Sequence, residues 1–147
     1  MCMRCDGHGW DEIERHTDLV IRVHGYLLQQ VEAARPWTYT IGCRESWGRP
    51  ELLIVDVAVD VQAIVLKAVA DDYVAFGDIR SDTLDLLDVD LAVVDAHHFD
   101  DGLVAGWEGR YARAARTGDF LQVVLGPSWF CDDHQRLVRR LDGPAAA

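Results

Sequence analysis

The sequence predicts a mixed α+β fold: one domain over residues 1–147, with a largely antiparallel sheet of about five strands and three to four helices. Three observations lead there. Three strand-like segments, "YLLQQVEA", "WTYTIGC" and "ELLIVDVAV", follow one another with only short turns between them, which antiparallel neighbours allow. Two further strand patterns, "VDLAVVDAHH" and "DFLQVVLG", are separated by helical ones. Finally, half of the 147 residues are apolar, enough for one core that buries roughly 70% of the unfolded surface.

The elements follow in order. From Asp11 to His24 the apolar residues Ile13, Val20, Ile21 and Val23 recur at helical spacing, and Gly25 is suited to end that helix in a left-handed conformation. "YLLQQVEA" and "WTYTIGC" read as a hairpin, the second strand placing Trp37, Tyr39, Ile41 and Cys43 on one face. "RESWGRP" is expected to reverse the chain, and "ELLIVDVAV" is apolar enough to be central in the sheet. Asp60 is a candidate N-cap for a helix whose buried stripe is Val61, Ile64, Val65, Ala68 and Val69. The five aspartates between Asp78 and Asp90 read as a solvated acidic loop with a short turn, because the order of acids and the central glycine of a calcium loop are absent. After the fourth strand, "LVAGWEGRYARAART" is expected to be helical, and after the fifth so is "DDHQRLVRRL", with His134, Leu137, Val138 and Leu141 on one face. Residues 143–147 read as a short flexible tail.

Charge narrows the partners. With 25 acidic against 14 basic residues, a formal charge of −11 repels polyanions, so nucleic acid is not expected as a partner. The basic groups Arg110, Arg113, Arg116 and Arg136, Arg139, Arg140 read as solvated helix faces. The longest apolar stretch is broken by Asp56, Asp60 and Lys67, so no membrane partner is expected, and nothing at the N-terminus has the pattern of an export signal. The expected location is cytoplasmic. Lys67 as the single lysine, with abundant Ala, Val, Asp and Gly, suggests a high-GC bacterial genome.

Cys2 and Cys5 have the two-residue gap that lets a tight turn present two zinc ligands, and Cys131 and His134 have it again near the other end. Together they make a complete Cys₃His set, the predicted metal site: a structural zinc joining the termini and closing a very long loop. Unpaired thiols or a redox pair are the competing readings, the second disfavoured because no strand precedes the C-x-x-C. His8 is a spare ligand candidate. His97 and His98, if they end a strand, face opposite sides and cannot share one ion. The usual enzyme signatures for nucleotide binding, serine nucleophiles and metalloproteases are missing.

Several stretches together are similar to one family. "CMRCDG" at 2–7, "IRVHGY" at 21–26, "YTIG" at 39–42, "GRPEL" at 48–52 and "SWFC" followed by His134 resemble the family known as domain of unknown function 4262. Tyr26 stands where the family has Trp, Cys43 where Leu is common, and Arg49 where His is frequent. The resemblance implies no established activity; it suggests that "YTIG" and "GRPEL" flank one surface. Tyr39, Trp47, Arg49 and Glu51 are then candidates to line a pocket for a small molecule between the second and third strands. The competing and favoured reading puts Tyr39 in the core, leaves Glu51 exposed and gives Gly48 and Pro50 the turn. The strand, G-R-P turn and strand are also similar to the hairpin of flavin-binding split barrels, which would imply flavin.

The expected function is a small binding or regulatory module with a structural zinc, acting on an unidentified small molecule or protein. The enzyme alternatives are a hydrolase with an open zinc position and His134 as base, or a flavin-dependent oxidoreductase.

Overall fold

The computed structural model describes residues 7–130 and 138–143. Its centre is a five-stranded sheet made of β1 (Leu27–Val31), β2 (Trp37–Ile41), β3 (Glu51–Val55), β4 (Val89–Val93) and β5 (Phe120–Leu125), in the order β1-β2-β3-β5-β4. Only β3 and β5 run parallel; the other three pairings are antiparallel. All five β3 residues are buried, as befits a continuous apolar run placed centrally with both faces covered.

Five α-helices surround the sheet among the described residues: α1 (Trp10–His24), α2 (Cys43–Trp47), α3 (Val59–Phe76), α4 (Ser81–Leu87) and α5 (Ala105–Tyr111). Strand alternation divides the core in two. Tyr39, Ile41, Leu53, Val55 and Phe120 face one side, where Ile21 of α1, Trp107 of α5, Phe99 and Leu141 pack on them. Leu52, Ile54, Val123 and Leu125 face the other, covered by Val65, Leu66, Val69, Ala70 and Tyr73 of α3. Fully burying one such aliphatic or aromatic side chain contributes about 1.5–3 kcal/mol, so each face supports the sheet independently of local propensity.

Several expectations are corrected in detail. Cys43 does not continue the face of Trp37, Tyr39 and Ile41: β2 ends at Ile41, Gly42 turns at φ 117°, and Cys43 opens α2 inside the other core. "RESWGRP" therefore holds a helical turn before its reversal. Asp60 does not cap α3; Ala58 holds that position, and the Asp60 carboxylate accepts from the Val61 N–H at 3.0 Å. The acidic segment contains α4, folded because Leu84 and Leu87 pack against the second core. His97 and His98 lie on a 3-10 turn (Ala96–Phe99), not at a strand end, so their rings meet with centroids 3.8 Å apart.

The region after Tyr111 departs from helix as well, because α5 stops at Ala112 in a left-handed conformation. Arg113 then reaches back to Asp119 with both Nη atoms, at 2.8 and 3.0 Å, and is not on a solvated helix face. The proposed last helix lies largely outside the described residues, and its described part, 138–141, is not helical. That part is held by the sheet: the Gln122 amide donates to Arg139 O at 2.7 Å and accepts from Leu141 N at 2.8 Å, while Asp95 N donates to Leu141 O. No helix among the described residues is long and apolar enough to cross a membrane.

Candidate functional site

The two motif segments "YTIG" and "GRPEL" meet at one carboxylate. Glu51, fully buried at the start of β3, accepts from Thr40 Oγ1 (2.9 Å), Gly42 N (3.1 Å), Cys43 N (2.9 Å), Arg44 N (3.5 Å) and Trp107 Nε1 (3.0 Å). Thr40 Oγ1 itself accepts from Leu52 N at 2.9 Å, which leaves its hydroxyl proton for Glu51. Burial pushes the Glu51 pKa up, against the pull of these donors. The exposed N–H groups at the start of α2 are thereby satisfied from within the protein, and a strand, a short helix and α5 are tied together.

The four residues proposed from sequence to line a pocket separate accordingly. Tyr39 is 2% exposed, and its hydroxyl accepts from Gly106 N at 3.0 Å. Glu51 is buried, which corrects its expected exposure. Arg49 lies on the surface, where Nε donates to Gly77 O at 3.2 Å and the guanidinium pairs with Asp78 at 3.4 Å. Trp47 stacks on Tyr73 with centroids 5.7 Å apart, and of the four it alone lines the larger cleft described next.

That cleft, of about 630 Å³, lies between the C-terminal end of α1, α2 and α5, with Asp18, Arg22, His24, Glu45, Trp47 and Arg110 on its walls. Two glycines permit it. Gly25 ends α1 at φ 89°, donating to Ile21 O, and any side chain there would run into the Trp47 ring. At Gly42 an added Cβ would stand 2.8 Å from Gly25 O, so the turns after α1 and β2 approach backbone to backbone. Ser46 Oγ closes the junction by donating to Gly25 O at 2.6 Å.

Arg110 holds the acidic wall in place. Its Nη1 donates to Asp18 Oδ1 at 2.7 Å and its Nε to Glu45 Oε1 at 3.0 Å; Tyr111 Oη donates to the same Glu45 oxygen at 2.6 Å. The Arg110 pKa is raised: burial works against it and the two carboxylates more than compensate. A second depression of about 390 Å³, lined by Val20, Tyr26, Leu28 and Asp71 among others, shares Val23, His24 and Val74 with the cleft. Sequence analysis passes over Asp18 and Glu45 and takes Arg110 for a solvated helix face, whereas its side chain is only 21% exposed and engaged by both acids; the three come from distant segments and carry no local spacing signal.

The predicted metal ligands Cys2, Cys5, Cys131 and His134 lie outside the described residues. Among the described residues no group of three or more His, Cys, Asp or Glu side chains could hold a metal ion. His8, the spare candidate, contacts Glu12 at 2.6 Å. The chain on either side of 131–137 is well anchored. Before it, Trp129 Nε1 donates to Leu87 O at 2.7 Å and Ser128 N to Asp88 at 3.0 Å. After it, Arg139 holds Asp56 through its backbone N–H and two guanidinium nitrogens.

The sheet is open, with β1 and β4 at its edges, so the hairpin's similarity to split barrels does not extend to the architecture. No curated protein and no solved structure is significantly similar to the chain. The family comparison does match, over residues 20–127, a span that contains the Glu51 junction and every wall of the cleft except Asp18, and the chain belongs to the family described as Domain of unknown function (DUF4262).

Proposed function

We propose that this protein is a small-molecule binding module whose two ends are tied by a structural zinc ion. The observation that carries the binding reading is the cleft beside Trp47. It has the volume of a ligand site, an aromatic wall and polar groups converging from three helices, two of which are locked together through Glu51. A nucleophile placed beside a base is not part of this lining: Ser46 Oγ is engaged with the Gly25 carbonyl. Binding therefore has more support than catalysis.

The zinc reading rests on the spacing of Cys2 with Cys5 and of Cys131 with His134, a full tetrahedral set. The anchoring of residues 128–129 and 139–141 supports it, because a half-site whose flanks are already ordered loses less entropy on taking up metal. Structural zinc leaves the cleft free for its own ligand.

Two measurements test this reading. Elemental analysis of freshly purified protein is expected to give about one zinc per chain, and Cys5→Ser or Cys131→Ser is expected to lose both the metal and thermal stability. Metal-free parent protein that melts at the same temperature would remove the zinc. For the cleft, a fragment mixture is expected to shift the Trp47 indole resonance in a two-dimensional NMR spectrum while leaving that of buried Trp107 in place. Shifts confined to other surfaces, or none, would remove the binding reading.

A further inference from the structure

From the charges on the cleft walls we infer that its ligand is an α-amino acid with an apolar side chain. The inference rests on the binding reading above and adds the chemical class. Among the described residues, every donor to the acidic wall falls on one oxygen of each carboxylate, Asp18 Oδ1 and Glu45 Oε1. Their second oxygens, Asp18 Oδ2 and Glu45 Oε2, accept nothing from the described residues and belong to side chains 53% and 39% exposed. These are acceptors for an ammonium group, and Arg110 keeps them in place without covering them.

A simple cation would leave the opposite charge unanswered. Arg22, exposed on the same wall, has no ion pair among the described residues. It stands one helical turn after Asp18, which puts the two Cβ atoms about 5–6 Å apart. An ammonium and a carboxylate carried on one carbon would answer both charges, with the ammonium toward Asp18 and Glu45 and the carboxylate toward Arg22, on the same face of α1 as Asp18. Arg110 does not serve as the anion receptor, because its Nε and Nη1 are already engaged. The side chain then extends along Val23 and Val74 into the adjoining depression of about 390 Å³, whose remaining lining includes Val20, Tyr26 and Leu28. The protein's charge of −11 opposes a purely anionic ligand and tolerates a zwitterion.

Calorimetric titration of the full chain with L-phenylalanine, phenethylamine and 3-phenylpropionate separates the two charges. Phenylalanine is expected to bind saturably at millimolar concentration or below, with the amine and the acid each weaker by about tenfold or more. Arg22→Ala should remove the advantage of phenylalanine over the amine, and Asp18→Asn its advantage over the acid, each with an unchanged melting temperature because both side chains are exposed. The inference is overturned if the amine or the acid binds as tightly as the amino acid, or if none of the three saturates. A Trp47 resonance that answers to fragments while no amino acid binds would overturn the ligand class and leave the binding reading standing; silence in both experiments removes both.

Discussion

Glu45, in the middle of α2, and Glu51, six residues on at the start of β3, do opposite things. Glu51 is buried and receives five donors from Thr40, Trp107 and the start of α2, so both of its oxygens are engaged within the protein. Glu45 is 39% exposed, lines the cleft and takes Arg110 and Tyr111 on one oxygen only. A carboxylate satisfied on every side within the protein holds a fold together; one satisfied on a single side keeps acceptor capacity for water or another group. The difference lies in burial and in the number of donors, both set by distant parts of the chain.

The sharpest way to break that contrast is at the buried end. Glu51→Ala leaves several donors without partners in a dry site, and a loss of about 4 kcal/mol or more is expected in urea unfolding. Glu51→Gln should recover only part of it, since its amide N–H₂ would face donors. If Glu51→Gln melts like the parent, the donors do not require a carboxylate.

A smaller effect is expected at Asp119, buried like Glu51 but facing two arginines. Burial alone would raise its pKa, yet the paired Arg113 nitrogens and the Arg116 N–H hold it below the ordinary carboxylate range. Because the folded value lies below the unfolded one of about 3.9, the stabilisation is complete above that value and is lost as pH falls through the folded pKa. Asp119→Asn is expected to cost about 2 kcal/mol at pH 7, and the difference from the parent should shrink below about pH 4. A difference that stays constant with pH would assign the cost to packing.

The smallest effect belongs to the cleft. Asp18→Asn should change stability by no more than about 0.5 kcal/mol, since its partner Arg110 keeps Glu45 and the site is exposed. A loss comparable to that of Glu51→Ala would make the acidic wall a structural element and end the comparison.

Much of the architecture is legible locally. The length and apolar run of β3 place it centrally, and Gly25 ends α1 where its position predicts; α3 is found as a helix packed on the sheet, but of its expected stripe Ile64 is 68% exposed and the buried face runs through Val65, Leu66, Val69, Ala70 and Tyr73 instead. These features follow from period, propensity and backbone freedom, which act over a few residues. The candidate site is less legible: Trp47 was singled out and lines the cleft, whereas Tyr39 and Glu51 were singled out and serve the interior. Their motifs do meet, at the Glu51 carboxylate, but say nothing about which way a side chain is turned.

The sequence by itself determined the α+β class, the succession of most elements, the acidic charge and the pairing of cysteine and histidine spacings at the two ends. Tertiary structure alone decided that Cys43 crosses to the second core, that one buried carboxylate joins β2, α2 and α5, and that Asp18, Glu45 and Arg110 meet. It also decided that residues 139–141 dock on Gln122 and Asp56. Each of these joins segments far apart in the chain, and such contacts depend on burial and on where the sheet brings donors and acceptors together, which no local spacing encodes.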